Sequence, residues 1–145
     1  MSRAKVPRHL IKMFRLALEA QKRAHAPYSH RYIGAAVLTE EGEIFSGCNV
    51  ENASFGGTVC AERVAILKAV SETERPQIRE ILVVSNEREP WPPCGLCRQV
   101  IAEFAGPKTL VHIANPHGVF ETFRFSDLFP AGFHPWHLKS KRRKS

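Results

Sequence analysis

The sequence predicts an α/β fold in which helices cover both faces of a mixed sheet, a three-layer α/β/α sandwich. Helical and strand-like patterns alternate along the chain. The short apolar run Ile81-Leu82-Val83-Val84 is typical of a strand buried on both faces. Two cysteine segments, residues 58–63 and 93–99, each stand where a loop gives way to a helical pattern. We expect one domain over residues 1–138, since this length suits a single hydrophobic core.

The first element is predicted to be an amphipathic helix over residues 8–24, with no chemistry of its own. Its apolar residues repeat at helical spacing: Leu10, Phe14, Ala17 and Leu18. The helix must end before Pro27, because proline lacks a backbone donor and restricts its neighbour. Residues 31–39 and 43–50 then predict a β-hairpin around the turn Glu40-Glu41-Gly42.

Asn49 and Glu51 close the second strand of this hairpin. Side chains two residues apart point to the same side of an extended chain. Such a pair could grip the hydroxyls of a sugar, or it could make the local hydrogen bonds of a turn. The spacing alone leaves both interpretations open.

A second helix is predicted from an N-cap at Thr58 to about Ser71, which places Cys60 in its first turn. The helix dipole there favours a thiolate over a thiol. A third helix opens with Cys94-Gly95-Leu96-Cys97 and ends at Gly106-Pro107. The remaining elements are strands over residues 110–113 and 119–123 and a helical turn over residues 126–129.

Cys60, Cys94 and Cys97 can offer three thiolates to one metal ion, since Cys94 and Cys97 are one helical turn apart. A zinc ion with three protein ligands keeps a fourth position open for water, which is the mark of a catalytic site. Glu62 is then a carboxylate that the metal does not need. The alternative adds Cys48 as a fourth thiolate and makes a closed structural site in a zinc-stabilised binding module, which leaves Glu62 without a role.

Three thiolates give the zinc site a formal charge of −1, which weakens the effect of the metal on its water. A cation that donates to the thiolates would offset this charge. Arg63 directly follows Glu62, and Arg98 directly follows Cys97, so both are candidates. The alternative for each arginine is a surface salt bridge.

The net charge of +7 is concentrated at the two ends of the chain. Residues 1–23 carry seven Lys/Arg and one Glu, and residues 139–145 carry five Lys/Arg and no acid. Residues 24–138 carry nine Lys/Arg against thirteen Asp/Glu, a net charge of −4. Because basic tails are commonly solvated, we expect a disordered tail over residues 139–145 and no nucleic-acid partner.

The apolar runs are too short for a membrane span, which needs about 18 residues, and residues 1–25 hold no run typical of a signal peptide. We therefore expect a cytoplasmic protein. In that reducing compartment the four cysteines would serve metal binding or catalysis rather than disulfides.

The motifs together resemble the small, homotetrameric cytidine deaminases. Cys60-Ala61-Glu62 followed by Pro93-Cys94-Gly95-Leu96-Cys97 is similar to the pattern of zinc deaminases, in which the Glu is the general acid/base and not a ligand. Other matching stretches are Ala26-Pro27-Tyr28-Ser29, Ile33-Gly34-Ala35-Ala36 and Gly47-Cys48-Asn49-Val50-Glu51-Asn52-Ala53-Ser54. The resemblance implies a sheet of about five strands. It also implies one Zn²⁺ per chain and hydrolytic deamination of cytidine and deoxycytidine in pyrimidine salvage.

The same resemblance implies roles for individual residues. Asn49 and Glu51 would bind the ribose, and Ala61 would contact the substrate. Phe55 and Phe133 match family aromatics that approach the substrate of a neighbouring subunit. A homotetramer is therefore expected.

Arg31 is a departure from the family pattern, which has a Phe against the substrate's base at this position. Our hypothesis is that Arg31 contacts the substrate and widens the accepted range, either by stacking on the pyrimidine or by meeting a phosphate or carboxylate. The alternative is that Arg31 points to solvent or binds an acid such as Glu51.

Other functions compete with deamination of cytidine. The chain could act on a modified or nucleoside-like cytosine compound, or it could edit a polynucleotide, which only the basic termini support. The closed-zinc binding module is the alternative of another class. Release of ammonia from free nucleosides separates the first two enzymatic functions from the others.

Overall fold

The structure is a computed structural model, and it describes residues 6–118 and 120–139. Its strands are β1 (Ile33–Thr39), β2 (Ile44–Cys48), β3 (Ile78–Ser85), β4 (Ala105–Ala114) and β5 (Phe120–Arg124). Its helices are α1 (Ile11–Gln21), α2 (Ala61–Glu72), α3 (Gly95–Phe104), α4 (Phe125–Leu128) and α5 (Pro135–Leu138). Short 3-10 turns at Arg8–Leu10 and Phe55–Gly57 precede α1 and α2.

The strands form one five-stranded sheet in the order β2-β1-β3-β4-β5. Strands β3 and β4 are parallel, and every other neighbouring pair is antiparallel, so the sheet is mixed as predicted. The parallel pair is joined by α3, which is the expected crossover connection between parallel strands.

The two faces of the sheet carry separate apolar clusters. On one face α1 places Met13 and Ala17 against Leu82 of β3. On the other face α2 and α3 place Ile66 and Ile101 in a cluster with the opposite residues of β3. Strand β3 is therefore covered on both sides, which confirms the prediction for its apolar run. The three-layer α/β/α sandwich is likewise confirmed.

Two glycines let helices approach the sheet closely enough to position the site. A Cβ added at Gly34 of β1 would lie 1.9 Å from the carbonyl oxygen of Ala17 in α1. A Cβ added at Gly47 of β2 would lie 2.7 Å from the backbone nitrogen of Ala65 and 2.9 Å from the carbonyl oxygen of Ala61. Since neither backbone can move aside cheaply, Gly47 sets how tightly the first turns of α2 pack on the sheet.

Several predicted boundaries differ from the observed ones. The N-cap of α2 is Cys60 rather than Thr58, so the prediction that Cys60 lies in the first turn is wrong by one residue. Thr58 instead accepts a hydrogen bond from the backbone of Asn52 at 3.3 Å. Strand β4 begins at Ala105, which pairs with Ile78 of β3, so the Gly106-Pro107 stretch that was expected only to end α3 lies within this strand.

Two predictions fall partly on residues outside the described ranges. The predicted strand over 119–123 corresponds to β5, but Val119 is not described. The predicted basic tail lies outside the described residues from Ser140 onward. Among the helices of the described ranges, none is both long and apolar enough to cross a membrane.

Candidate metal centre and active site

A cavity of about 320 Å³ opens where α2 and α3 begin, beside the carboxyl end of β3. Six of the residues predicted to form a site line it: Arg31, Asn49, Glu51, Cys60, Glu62 and Cys94. A larger cavity of about 400 Å³ lies near α4 and is lined mainly by apolar residues, without a cysteine or an acid. The chemistry of the lining therefore points to the smaller cavity as the site.

The three predicted metal ligands lie together at two helix starts. Cys60 is the N-cap of α2, Cys94 is the N-cap of α3, and Cys97 lies in the first turn of α3. Their sulfur atoms all lie within 4.8 Å of one another, and those of Cys60 and Cys94 are 3.9 Å apart. Tetrahedral zinc with Zn–S bonds of about 2.3 Å requires sulfurs roughly 3.8 Å apart, so the cluster fits this ion.

Cys48 is not part of this cluster. It ends β2, where it pairs with Gly34 of β1. Among the described residues, the group of side chains that could hold a metal ion consists of Cys60, Cys94 and Cys97, and Cys48 is not in it. The geometry therefore argues against the closed four-cysteine site and leaves the three-ligand site.

The thiols interact strongly with one another. A hydrogen bond from the Cys97 thiol and the nearby Arg63 guanidinium lower the pKa of Cys60 to about 5, against the opposing effect of burial. The same hydrogen bond, burial and the neighbouring negative charges raise the pKa of Cys97. Three adjacent thiolates need a cation to be stable together, and a bound metal ion is the group that would provide it.

Glu62 lies beside the cluster in the first turn of α2, with 5% of its surface exposed. Burial raises the pKa of this carboxyl to about 7, and the negative charge of Cys60 adds to the effect. A hydrogen bond with its own backbone and the charge of Arg63 act in the opposite direction. A carboxyl with this pKa can both accept and release a proton near neutral pH.

The two arginines that follow the ligand motifs have different partners. Arg63 donates from Nη2 to the sulfur of Cys60 at 3.4 Å and to the carbonyl oxygen of Thr58 at 3.3 Å. This is the contact that the charge argument predicted. Arg98 instead donates to the carbonyl oxygens of Pro93 at 2.8 Å and Leu128 at 2.9 Å.

The prediction that Arg98 donates to a thiolate is therefore wrong. Its side chain ties the loop before Cys94 to α4, because two backbone acceptors lie within reach of its planar group. Arg98 contributes to the position of Cys94 rather than to the charge of the metal site.

Asn49 and Glu51 line the same cavity, and both are held by backbone groups. The Asn49 side chain donates to the carbonyl oxygen of Arg31 at 2.7 Å and accepts from the backbone of Ile33 at 2.8 Å. Glu51 accepts from the backbones of Tyr28 and Ser29 at 3.0 and 3.1 Å, and from the Ser29 hydroxyl at 2.5 Å.

These contacts fix the orientation of both side chains at the cavity. The hydrogen bond from the Ser29 hydroxyl, together with those from the two backbone groups, holds the pKa of Glu51 below its usual value despite the opposing effect of desolvation. The carboxylate is therefore charged at neutral pH. Binding of a sugar by this pair stays a prediction.

Arg31 lines the cavity and binds an acid, as one of the alternatives held, but this acid is Glu87 rather than Glu51. Its Nη1 atom lies 2.5 Å from Oε1 of Glu87. Its guanidinium carbon lies 5.6 Å from the ring centre of Trp91, within the range of a cation–π contact. The structure thus adds two partners, Glu87 and Trp91, that sequence reasoning did not find.

Ala61, Phe55 and Phe133 lie outside the lining of this cavity. Ala61 is fully buried at the start of α2. Phe55 is 73% exposed and makes an edge contact with Tyr28, with ring centres 5.5 Å apart. Phe133 is also exposed, and its carbonyl oxygen accepts a hydrogen bond from Gln99 at 2.8 Å.

Sequence reasoning also missed Ser85 at the end of β3. Its hydroxyl oxygen is buried, has no hydrogen-bond partner among the described residues, and belongs to a residue that lines the cavity. The position of Ser85 directly after an apolar run was a usable signal, because ligands of open α/β sheets bind at the carboxyl ends of strands.

Comparison with known proteins agrees with this site. Residues 7–113 match the family described as "Cytidine and deoxycytidylate deaminase zinc-binding region". A cytidine deaminase of Halalkalibacterium halodurans is 44% identical over 117 residues, which cover 81% of this chain and 88% of the relative. One of Sporosarcina psychrophila is 43% identical over 115 residues, which cover 79% of this chain and 84% of the relative.

Solved structures give the same result. The crystal structure of a cytidine deaminase from Burkholderia pseudomallei matches with a TM-score of 0.81 and 40% identity, covering 88% of this chain and all of that one. That of the cytidine deaminase from Mycobacterium tuberculosis matches with a TM-score of 0.71 and 36% identity, covering 84% and 94%. The chain therefore belongs to the cytidine and deoxycytidylate deaminase family and carries its zinc-binding region.

Proposed function

We propose that the protein hydrolyses cytidine and deoxycytidine to uridine and deoxyuridine and releases ammonia. The observation that carries this proposal is the buried carboxyl of Glu62, with a pKa of about 7, beside three clustered cysteines in one cavity. The two relatives described above align with this chain over most of their length and are named cytidine deaminases, which supports the same activity.

Cys60, Cys94 and Cys97 would hold the zinc ion. Bound there, zinc would lower the pKa of a water molecule towards 7 and supply a nucleophile at neutral pH. Glu62 accepts a proton from the attacking water and delivers it to ring N3 as the oxygen bonds to C4. It then transfers the second proton of that water to the amino group, so that the C4–N bond breaks and ammonia leaves.

Other residues support this reaction from fixed positions. Arg63 offsets the negative charge of the thiolates through its contact with Cys60. Asn49 and Glu51 bind the ribose hydroxyls, and their place at the lining supports this role. Ala61 is fully buried outside the lining, so its contact with the substrate stays a prediction from the family resemblance. A cytoplasmic location and a part in pyrimidine salvage stay predictions from the sequence.

An assay with free substrates tests the proposal. Purified protein loaded with zinc is incubated separately with cytidine, deoxycytidine, N4-substituted cytidines and a cytosine-containing single-stranded oligonucleotide. We expect ammonia together with uridine from cytidine, and ammonia together with deoxyuridine from deoxycytidine. Turnover of N4-substituted compounds alone would favour the modified-nucleoside alternative, and turnover of the oligonucleotide alone would favour polynucleotide editing.

We also propose that the working unit is a homotetramer. Large apolar side chains near the substrate cavity and the end of the chain are exposed: Phe55, Leu96, Phe133, Trp136 and Leu138. Exposed apolar side chains of this size are typical of surfaces that bind another chain. Phe55 and Phe133 would then reach a neighbouring subunit's site.

Light scattering at the assay concentration measures the assembly directly. We expect the mass of four chains in the active protein. Exchange of Phe133 for Ser should lower both the mass and the activity, because the exposed ring would lose its partner. A fully active monomer would contradict the proposal.

A further inference from the structure

Arg31 is held at the mouth of the cavity by two partners. Its guanidinium pairs with Glu87 at 2.5 Å and lies over Trp91 at 5.6 Å. We propose that Glu87 is a specificity-determining residue, which occupies Arg31 and so keeps it from binding substrates with an anionic group on the sugar. This inference rests on the proposed deamination of nucleosides. It explains why the site would reject nucleoside phosphates.

The ion pair follows from the register of the sheet. Strands β1 and β3 are antiparallel, and the pairing of Ile33 with Ser85 is the outermost one at this end. Arg31 lies two residues before Ile33, and Glu87 lies two residues after Ser85. Because the strands are antiparallel, Arg31 and Glu87 face each other beyond the last paired residues. Opposite charges at such positions attract across the two strands.

The pair lies at the exposed end of the cavity. The side chains of Arg31 and Glu87 are 54% and 25% exposed, whereas Glu62 at the metal cluster is 5% exposed. Ser29 connects Arg31 to the proposed sugar site: its hydroxyl accepts from the Arg31 backbone at 3.0 Å and donates to Glu51 at 2.5 Å. A substituent on the sugar would thus come close to Arg31.

The segment that carries Glu87 is fixed on both sides. Gln21 donates to the Asn86 side chain at 2.8 Å and to the carbonyl oxygen of Tyr32 at 2.9 Å, which links this segment to the start of β1. The side chain of Asn115 donates to the backbone of Glu87 at 3.3 Å and to that of Arg88 at 3.0 Å. The backbone that carries Glu87 is therefore in place before any substrate binds, and its carboxylate already pairs with Arg31.

Two consequences follow for a phosphate at this position. Arg31 must leave Glu87 before it can bind the phosphate, and the phosphate must then lie near two carboxylates, those of Glu87 and Glu51. The negative charges of the phosphate and of these two carboxylates repel each other. A neutral nucleoside meets neither obstacle. The hypothesis that Arg31 itself widens the range towards phosphates is thus replaced: the guanidinium becomes available only when Glu87 is changed.

The test compares substrates with and without a phosphate. For the wild type and Glu87→Gln, kcat/KM is measured for cytidine and cytidine 5′-monophosphate at low ionic strength. We expect the ratio for monophosphate over cytidine to rise at least about fivefold in Glu87→Gln, since a freed arginine binds phosphate strongly. The increase should shrink in added salt, which screens exposed charges.

Two variants serve as controls. Glu89→Gln removes the same charge from the same loop, at an exposed residue without an ion pair among the described residues, and should leave the ratio unchanged. The double variant Glu87→Gln/Arg31→Gln should lose the increase, because the gain depends on the freed guanidinium. An increase that survives in the double variant would overturn the proposal.

Binding gives a readout that does not need turnover. The affinities of uridine and uridine 5′-monophosphate are measured by calorimetry in the same variants. We expect Glu87→Gln to bind the monophosphate more tightly than the wild type does. An unchanged ratio in both assays, with cytidine still deaminated, would overturn this inference alone. Absence of cytidine turnover together with a raised monophosphate affinity would overturn the proposed function alone.

Discussion

Exchange of Glu62 for Gln is expected to lower kcat by several powers of ten, while zinc binding and fold are retained. One carboxyl handles both proton transfers in the proposed reaction, and general acid–base catalysis contributes about 10²–10⁴-fold for each such group. The amide has nearly the same shape but cannot accept or deliver these protons. Steady-state rates with cytidine, together with zinc content per chain, measure the effect.

A matched control lies on the same helix. Glu72 is the exposed last residue of α2, and Glu72→Gln should keep the wild-type rate. Retention of more than about a tenth of the wild-type kcat in Glu62→Gln would contradict the catalytic assignment. The loss would then be less than about tenfold, which is smaller than the loss expected on removal of a general acid/base.

The pH dependence of stability gives a second readout for Glu62, in protein from which the metal has been removed. The pKa of the folded state is about 7, above the ordinary value of 4.5, so the folded state binds more protons than the unfolded one between these pH values. The contribution of Glu62 to stability is thus present below about pH 4.5 and is lost as the pH rises to about 7. Glu62→Gln should lack this decline.

The metal ligands and Glu62 could be predicted from the sequence because their spacing is local. Glu62 is two positions after Cys60, and Cys97 is three positions after Cys94, so within each segment one helical turn brings the two side chains close together. The meeting of the two segments was implied by the resemblance to zinc deaminases, whose pattern joins them at one metal ion. In the structure both cysteine N-caps lie in one cluster.

The pair of Arg31 and Glu87 could not be predicted in the same way. These residues are 56 apart in sequence, and they meet only because β1 and β3 are neighbours in one particular register. A register change of one residue would turn either side chain to the other face. Trp91 was missed for a similar reason, since a proline-rich loop has no periodicity that predicts where its side chains point.

The boundary errors have local causes. Thr58 is a good N-cap by residue type, but helix α2 begins after Cys60, whose sulfur contacts Cys94 and Arg63. The hydroxyl of Thr58 is meanwhile occupied by the backbone of Asn52 and does not cap the helix. Arg98 was assigned by its position after Cys97, although a side chain of its length can equally reach backbone acceptors on α4.

Exchange of Cys97 for Ser is expected to reduce bound zinc well below one ion per chain and to lower turnover by more than about 100-fold. Cys97 is fully buried within the cluster, and a neutral hydroxyl replaces a thiolate poorly as a zinc ligand. Metal analysis after dialysis, combined with the cytidine assay, measures both losses.

Cys48→Ser is the matched control, because it removes the same sulfur at the end of β2, outside the cluster. This variant should keep one zinc ion per chain and most of the activity. Loss of zinc from Cys48→Ser would instead support a fourth thiolate ligand, and with it a closed structural site. Full zinc content and activity in Cys97→Ser would contradict the three-cysteine site. The two variants together therefore decide between a catalytic zinc with an open position and a structural zinc without one.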